Sequence, residues 1–234
     1  MTEPVGEEPS VEASTAPPLR ATAAAPADLW IVGDSLTETF GPALAEAARA
    51  TGVLLPDHEL RYSSGLTRPD FYDWPARLAR RLAEGELDII VFMIGANDAQ
   101  AIETSGGWVD FGSSAWMEEY RRRVKQTAET LSVGARTVYW VGQPIARPAT
   151  YSQRMGILND IYRSVAESHP GIRYVSSWEL FATEGSSYAD RLADRSGTEV
   201  RVRAADGIHL TTAGGERLSA HVIQSIEQDW VLGR

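Results

Sequence analysis

The sequence predicts an α/β protein, a three-layer α/β/α sandwich on a five-stranded, mainly parallel sheet. Three observations carry that expectation. Short apolar runs alternate along the chain with amphipathic stretches of helical period. One run, Leu87–Ile94 (LDIIVFMI), is apolar but for Asp88 near its start, as in a parallel strand covered on both faces. A length of 234 residues is enough for one large core.

Taken in order, Leu29–Ile31–Val32 is a first short strand ending at Gly33. An Ala-rich amphipathic helix follows over about 40–51, then an extended run near Glu59–Tyr62. Asp73 or a neighbour caps a helix through Trp74, Leu78 and Leu82, which Gly85 stops. After the 87–94 strand, a long helix over about 114–131 leads to a fourth strand at Thr137–Val141. A helix over about 153–168 leads to a fifth at Ile172–Val175, and after a loop-rich stretch a helix over 212–229 closes the pattern. No internal repeat is present.

Residues 1–27 are rich in Pro, Ala, Glu, Ser and Thr, carry four Glu and one Arg, and lack apolar periodicity. A stretch that buries so little cannot offset its ordering entropy, so it reads as a disordered tail or linker preceding a domain over 28–234. Glu3, Glu7, Glu8 and Glu12 stand where a secretory signal would be basic, and no apolar h-region follows. Such a tail suits a tether to a cell-envelope anchor or a plain extension of a cytoplasmic protein. The net charge of −10 argues against nucleic acid or an anionic membrane as partner, and no apolar run is long enough to span a bilayer. Without cysteine, neither a disulfide framework nor a thiolate metal site can form.

Three motifs fall where such a sheet places its site, at the carboxyl ends of strands. Gly33–Asp34–Ser35–Leu36 follows the first strand. A Ser on a tight strand-to-helix turn presents its hydroxyl outward, and its amide lies near a helix N-terminus, where an oxyanion is stabilised. The same residues suit a plain helix start capped by Ser35 or Thr37. Gly95–Ala96–Asn97–Asp98 follows the third strand; an Asn amide there is a neutral, short oxyanion donor, or the segment is only a turn. Asp206–Gly207–Ile208–His209 precedes the last helix, and a carboxylate three residues from an imidazole can orient the ring while its far nitrogen takes a serine proton. Any one motif is weak; all three in this order are not.

Together these blocks resemble the SGNH (GDSL) hydrolase superfamily, and Leu66–Trp74 (LTRPDFYDW) resembles a poorly characterised bacterial branch of it. The resemblance covers Asp28 to Trp230 and implies the flavodoxin-like SGNH-hydrolase fold. It implies Ser35 as nucleophile, His209 as base and Asp206 as its orienting carboxylate. The Ser35 and Gly65 amides and the Asn97 side chain would form the oxyanion hole, Gly65 being placed by its match to a further family block. Gly95 would shape the turn that aims Asn97, and Asp34 and Asp98 would brace their loops. No metal or organic cofactor is implied, and His58, His169 and His221 lack ligand spacing and read as surface residues.

The activity so implied is a serine esterase acting on O-acyl, above all O-acetyl, groups of a small molecule, carbohydrate or cell-envelope polymer. An O-acyltransferase would use the same acyl-enzyme, a lipase or thioesterase would take longer chains, and a retired hydrolase fold would be a glycan-binding module. Arg68, three residues after Gly65, is a candidate for an anionic group on the substrate or for an ion pair with an acidic neighbour. Trp108, Phe111 and Trp116 lie in a Gly-rich stretch able to overhang the site, with core packing the alternative. Tyr151, Tyr188, Arg147 and Gln143 are further loop residues suited to a polar ring.

Overall fold

In the computed structural model, which describes residues 19–85 and 87–233, eleven strands and five helices follow one another as β1 (Leu19–Ala21), β2 (Ala27–Gly33), α1 (Thr37–Ala50), β3 (Leu54–Leu60), α2 (Trp74–Ala83), β4 (Leu87–Met93), β5 (Ile102–Thr104), β6 (Gly107–Val109), α3 (Ser114–Gly134), β7 (Ala135–Val141), α4 (Ala149–Glu167), β8 (Ile172–Val175), β9 (Arg191–Ala193), β10 (Glu199–Arg201), α5 (Thr212–Asp229) and β11 (Trp230–Leu232). The central sheet has the order β3-β2-β4-β7-β8 and is parallel throughout.

Alternation along the strands builds two cores. Leu29, Ile31, Ile89 and Val91 face α1 and α5, where Phe40, Leu44, Leu218, Val222 and Ile226 meet them. Trp30, Val32, Ile90 and Phe92 face the other way, into a layer from α2, α3 and α4 that includes Trp74, Trp116, Tyr120, Leu158 and Tyr162. Both faces of β2 and β4 are therefore buried, which accounts for their near-continuous apolar runs. Among the described residues, no helix is long and apolar enough to cross a membrane.

Three expectations are corrected. The second strand is β3, over Leu54–Leu60, and not near 59–62. Pro56 breaks the pattern, but β3 is an edge strand, where a missing donor is tolerated. Helix α4 starts at Ala149, directly after Pro148, a turn before its apolar period becomes visible. The domain boundary expected at 28 lies earlier, because β1 pairs in parallel with β11 (Leu19 with Trp230, Ala21 with Leu232) and Ala21 is fully buried. The remainder of the expected tail, 1–18, lies outside the described residues.

Candidate active site

The three motifs meet at the carboxyl end of the sheet. Ser35 leaves β2 on a turn that enters α1, Asn97 follows β4, and Asp206 and His209 sit in the loop before α5. His209 Nε2 lies 2.9 Å from Ser35 Oγ, and His209 Nδ1 lies 2.6 Å from Asp206 Oδ2. The other Asp206 oxygen accepts the backbone N–H groups of Ile208 and His209, at 2.8 and 3.0 Å. Partial burial pushes the Asp206 carboxyl up, but the His209 bond and these two amides outweigh it and bring its pKa down to about 2. A carboxylate so held is ionised at any pH where the imidazole could act as a base.

The Ser35 and Gly65 N–H groups donate to nothing among the described residues. Asn97 Nδ2 donates to the Ser64 carbonyl at 2.9 Å, which ties the Asn97 side chain to the Gly65 loop. Gly65 admits no side chain, since a Cβ there would stand 2.1 Å from Asp98 Oδ1. Ser63, two residues earlier, holds a left-handed φ of 58°, a conformation costly for a non-glycine residue and frequent at functional sites.

Asp34 and Asp98 brace the loops, as expected. Asp34 is fully buried and accepts Leu36 N–H at 3.0 Å from its own turn and Gly95 and Ala96 N–H at 2.8 and 2.9 Å from the Asn97 block. Burial raises its carboxyl, the three amides pull it partly back, and its pKa settles at about 6. Asp98, also fully buried, takes Leu66 N–H, Thr67 N–H, the Thr67 hydroxyl and the Tyr120 hydroxyl, at 2.8 to 3.0 Å. One carboxylate thus joins the serine loop to the Asn97 loop, and the second joins that loop to the Gly65 loop. Gly95 turns the chain between them with φ of 126°, and a Cβ there would meet the Tyr162 hydroxyl at 2.2 Å.

Sequence reading missed Arg203. Its buried guanidinium donates to the carbonyls of Ile145, Gly207 and Ile208, at 2.5, 3.3 and 2.5 Å, and lies under the rings of Phe181 and Tyr188. Burial lowers its pKa to about 10, which leaves it cationic. Two of those carbonyls belong to the residues between Asp206 and His209, so Arg203 fixes the turn that carries the pair. Its only sequence signal is its place three residues before Asp206.

The residues open onto a cleft of about 460 Å³ lined by Ser35, Glu38, Tyr62, Ser63, Ala96, Asn97, Tyr151, Ile208 and His209. Tyr151, in the first turn of α4, donates to the Ala96 carbonyl at 2.8 Å. Neither Arg68 nor Trp108 lines this cleft. Arg68 forms two bonds to Asp70, at 2.8 and 2.7 Å, and both are exposed. Trp108 is 63 % exposed on the β5–β6 hairpin, which directs it elsewhere, and Trp116 is core. Tyr188 packs on Arg203, Arg147 packs on Gly207, and Gln143 is buried against the Ile94 carbonyl. The expected surface histidines are each half-buried, and His58 lies against Gly41. A depression of about 530 Å³ lies over the start of α3 between Ser114, Met117, Glu118, Arg121, Arg122 and Lys125, with no histidine in its lining.

Among solved structures, the chain is similar to LAE5, an alpha/beta hydrolase enzyme from the metagenome of Lake Arreo, Spain (19% identity, TM-score 0.60, 86% of this chain and 95% of that one). It is similar to TesA (19% identity, TM-score 0.58, 86% and 98%). It is also similar to a catalytic mutant of Axe2, an acetylxylan esterase from Geobacillus stearothermophilus (14% identity, TM-score 0.59, 89% and 96%). Others carry the descriptions GDSL-like lipase and SGNH hydrolase, so the fold is that of the SGNH/GDSL hydrolases. No curated protein matches the chain. A family model does match, over residues 28–225, and on that match the chain belongs to the family described as "Protein of unknown function (DUF459)".

Proposed function

We propose that the protein is a carboxylic-ester hydrolase that removes short O-acyl groups, acetyl above all, from a carbohydrate or cell-envelope polymer. The observation that carries this reading is the unbroken chain Ser35 Oγ–His209 Nε2, His209 Nδ1–Asp206 Oδ2, beside two unengaged amides. In the reaction, Ser35 Oγ bonds to the acyl carbon while His209 Nε2 takes its proton. The carbonyl oxygen becomes an oxyanion held by the Ser35 and Gly65 amides and the Asn97 side chain. Collapse breaks the ester C–O bond, and His209 returns the proton to the departing alcohol. Water then attacks the acyl-serine, gives a proton to His209, and releases the carboxylic acid and free Ser35.

His209 and Asp206 have side chains 38 % and 44 % exposed, so water reaches the base directly, which favours hydrolysis over transfer to a second alcohol. Besides the rings of Tyr62, Tyr151 and His209, the cleft walls are Ser, Asn and Glu with only Ala96 and Ile208 as aliphatic residues, which suits a short acyl group better than a long chain. The test is an ester panel from acetyl to octanoyl, with acetate release from acetylated glycans. Ser35→Ala should lose on the order of 10⁴-fold in turnover, and a fluorophosphonate should label Ser35 once. A variant keeping a tenth of the wild-type rate, or a label on another serine, defeats the assignment.

A further inference from the structure

The cleft has one acidic side chain, Glu38, and no lysine or arginine in its lining. Glu38 lies in the first turn of α1, and its amide donates to the Ser35 carbonyl at 3.2 Å, so it stands one helical turn from the nucleophile. One of its carboxylate oxygens accepts the Tyr62 hydroxyl at 2.9 Å, and the other accepts nothing among the described residues. Tyr62 is 51 % exposed, unusual for a ring of that size, yet this bond fixes its far end. Beside it Ser63 takes the left-handed backbone that brings Ser64 and Gly65 back into the site. None of these features serves the attack on the acyl carbon.

We infer that Glu38 and Tyr62 form a subsite for the alcohol portion of the substrate, and that this portion is a neutral sugar ring. The inference rests on the esterase reading above. A pinned aromatic face loses little side-chain freedom on binding and matches the C–H face of a pyranose. The free Glu38 oxygen accepts a hydroxyl neighbouring the ester, a charge-assisted bond stronger than a neutral one. The same carboxylate, with no lysine or arginine in the lining, disfavours alcohols that carry their own negative charge. The substrate class is therefore an O-acylated neutral glycan, with uronate and phosphate esters bound more weakly.

Two measurements test it. In the first, kcat/KM is compared for acetylated xylo-oligosaccharides and for p-nitrophenyl acetate, which has no sugar. Tyr62→Ala and Glu38→Gln should each lower the ratio of sugar ester to p-nitrophenyl ester roughly tenfold, through KM on the sugar ester. Tyr62→Phe, which keeps the ring and loses the pinning bond, should fall between. An unchanged ratio overturns the subsite, and so does an equal loss on both esters with melting temperature preserved. The second uses Ser35→Ala protein and calorimetric titration, so it needs no turnover. Acetylated xylo-oligosaccharide should bind, and adding Tyr62→Ala should weaken binding roughly tenfold. An acetylated oligosaccharide bearing a uronate should bind more weakly, and Glu38→Gln should narrow that gap. Failure of Ser35→Ala to bind the neutral sugar, while the wild type cleaves p-nitrophenyl acetate, overturns the subsite and leaves the esterase standing. Sugar binding with no turnover of any ester does the reverse.

Discussion

In the proposed mechanism one residue, Ser35, supplies both the attacking oxygen and an oxyanion donor, so the distance between them is set by covalent geometry. Asn97 is different: the oxyanion role proposed for its amide depends on the tether to the Ser64 carbonyl and on Asp34 holding the loop before it. Asn97→Ala should lower kcat by roughly 10²–10³-fold with little change in KM, the usual loss for one preorganised donor. Steady-state kinetics on p-nitrophenyl acetate checks this, and a raised KM with kcat intact would make Asn97 a binding residue. That Ser35, Asp206 and His209 come together was legible in the sequence because nucleophilic chemistry demands particular residue types at strand ends. Arg203, Glu38 and Tyr62 were not, since an arginine under two rings or a tyrosine tied to a helix is defined by partners distant in sequence.

The elements that carry the site were legible wherever burial imposes a period. Strands β2 and β4 and helix α5 lie close to where apolar spacing put them, and Asp73 caps α2 with its side chain on Ala76 N–H. The N-terminal strand was not, because three residues, Leu19–Ala21, carry no detectable alternation and their partner is at the far end of the chain. That strand changes what truncation should do. Deleting residues 1–26 removes β1, uncovers Trp230 and leaves β11 unpaired, so the melting temperature should fall by roughly 4–8 °C, the equivalent of about 2 kcal/mol in a domain of this size. Differential scanning calorimetry against a 1–18 deletion isolates the strand's share. Equal melting temperatures for the two truncations would mean that β1 contributes nothing.

Across the whole molecule, two buried carboxylates clamp three loops from separate parts of the chain, and this affects stability against pH. The Asp34 pKa in the fold, about 6, lies above the unfolded value of roughly 3.9. The folded state therefore binds more protons between those values, and the stability that Asp34 contributes falls as pH rises through this window, by on the order of 3 kcal/mol when complete. Asp98 is raised by the same cause and acts in the same direction, while His58, lowered by burial, opposes them. The measurement is thus a difference: urea melts at intervals from pH 4 to 7 on wild type and Asp34→Asn. The wild type should lose stability relative to the variant as pH rises, and parallel curves would show that Asp34 titrates as it does unfolded.

The pairing of β1 with β11 also sets how the domain bears load. The strands run parallel, so the chain before Leu19 and the chain after Leu232 leave opposite ends of one short ribbon. A pull between those two exits slides one strand along the other and strains its hydrogen bonds together, where an antiparallel pair would peel open bond by bond. The ribbon is a shear clamp whose Ala21 and Trp230 belong to the core beneath α1 and α5. Stretched from its two ends in a force spectrometer, the domain should rupture first at this clamp, at a higher force than when it is pulled from Leu19 and a residue in α3.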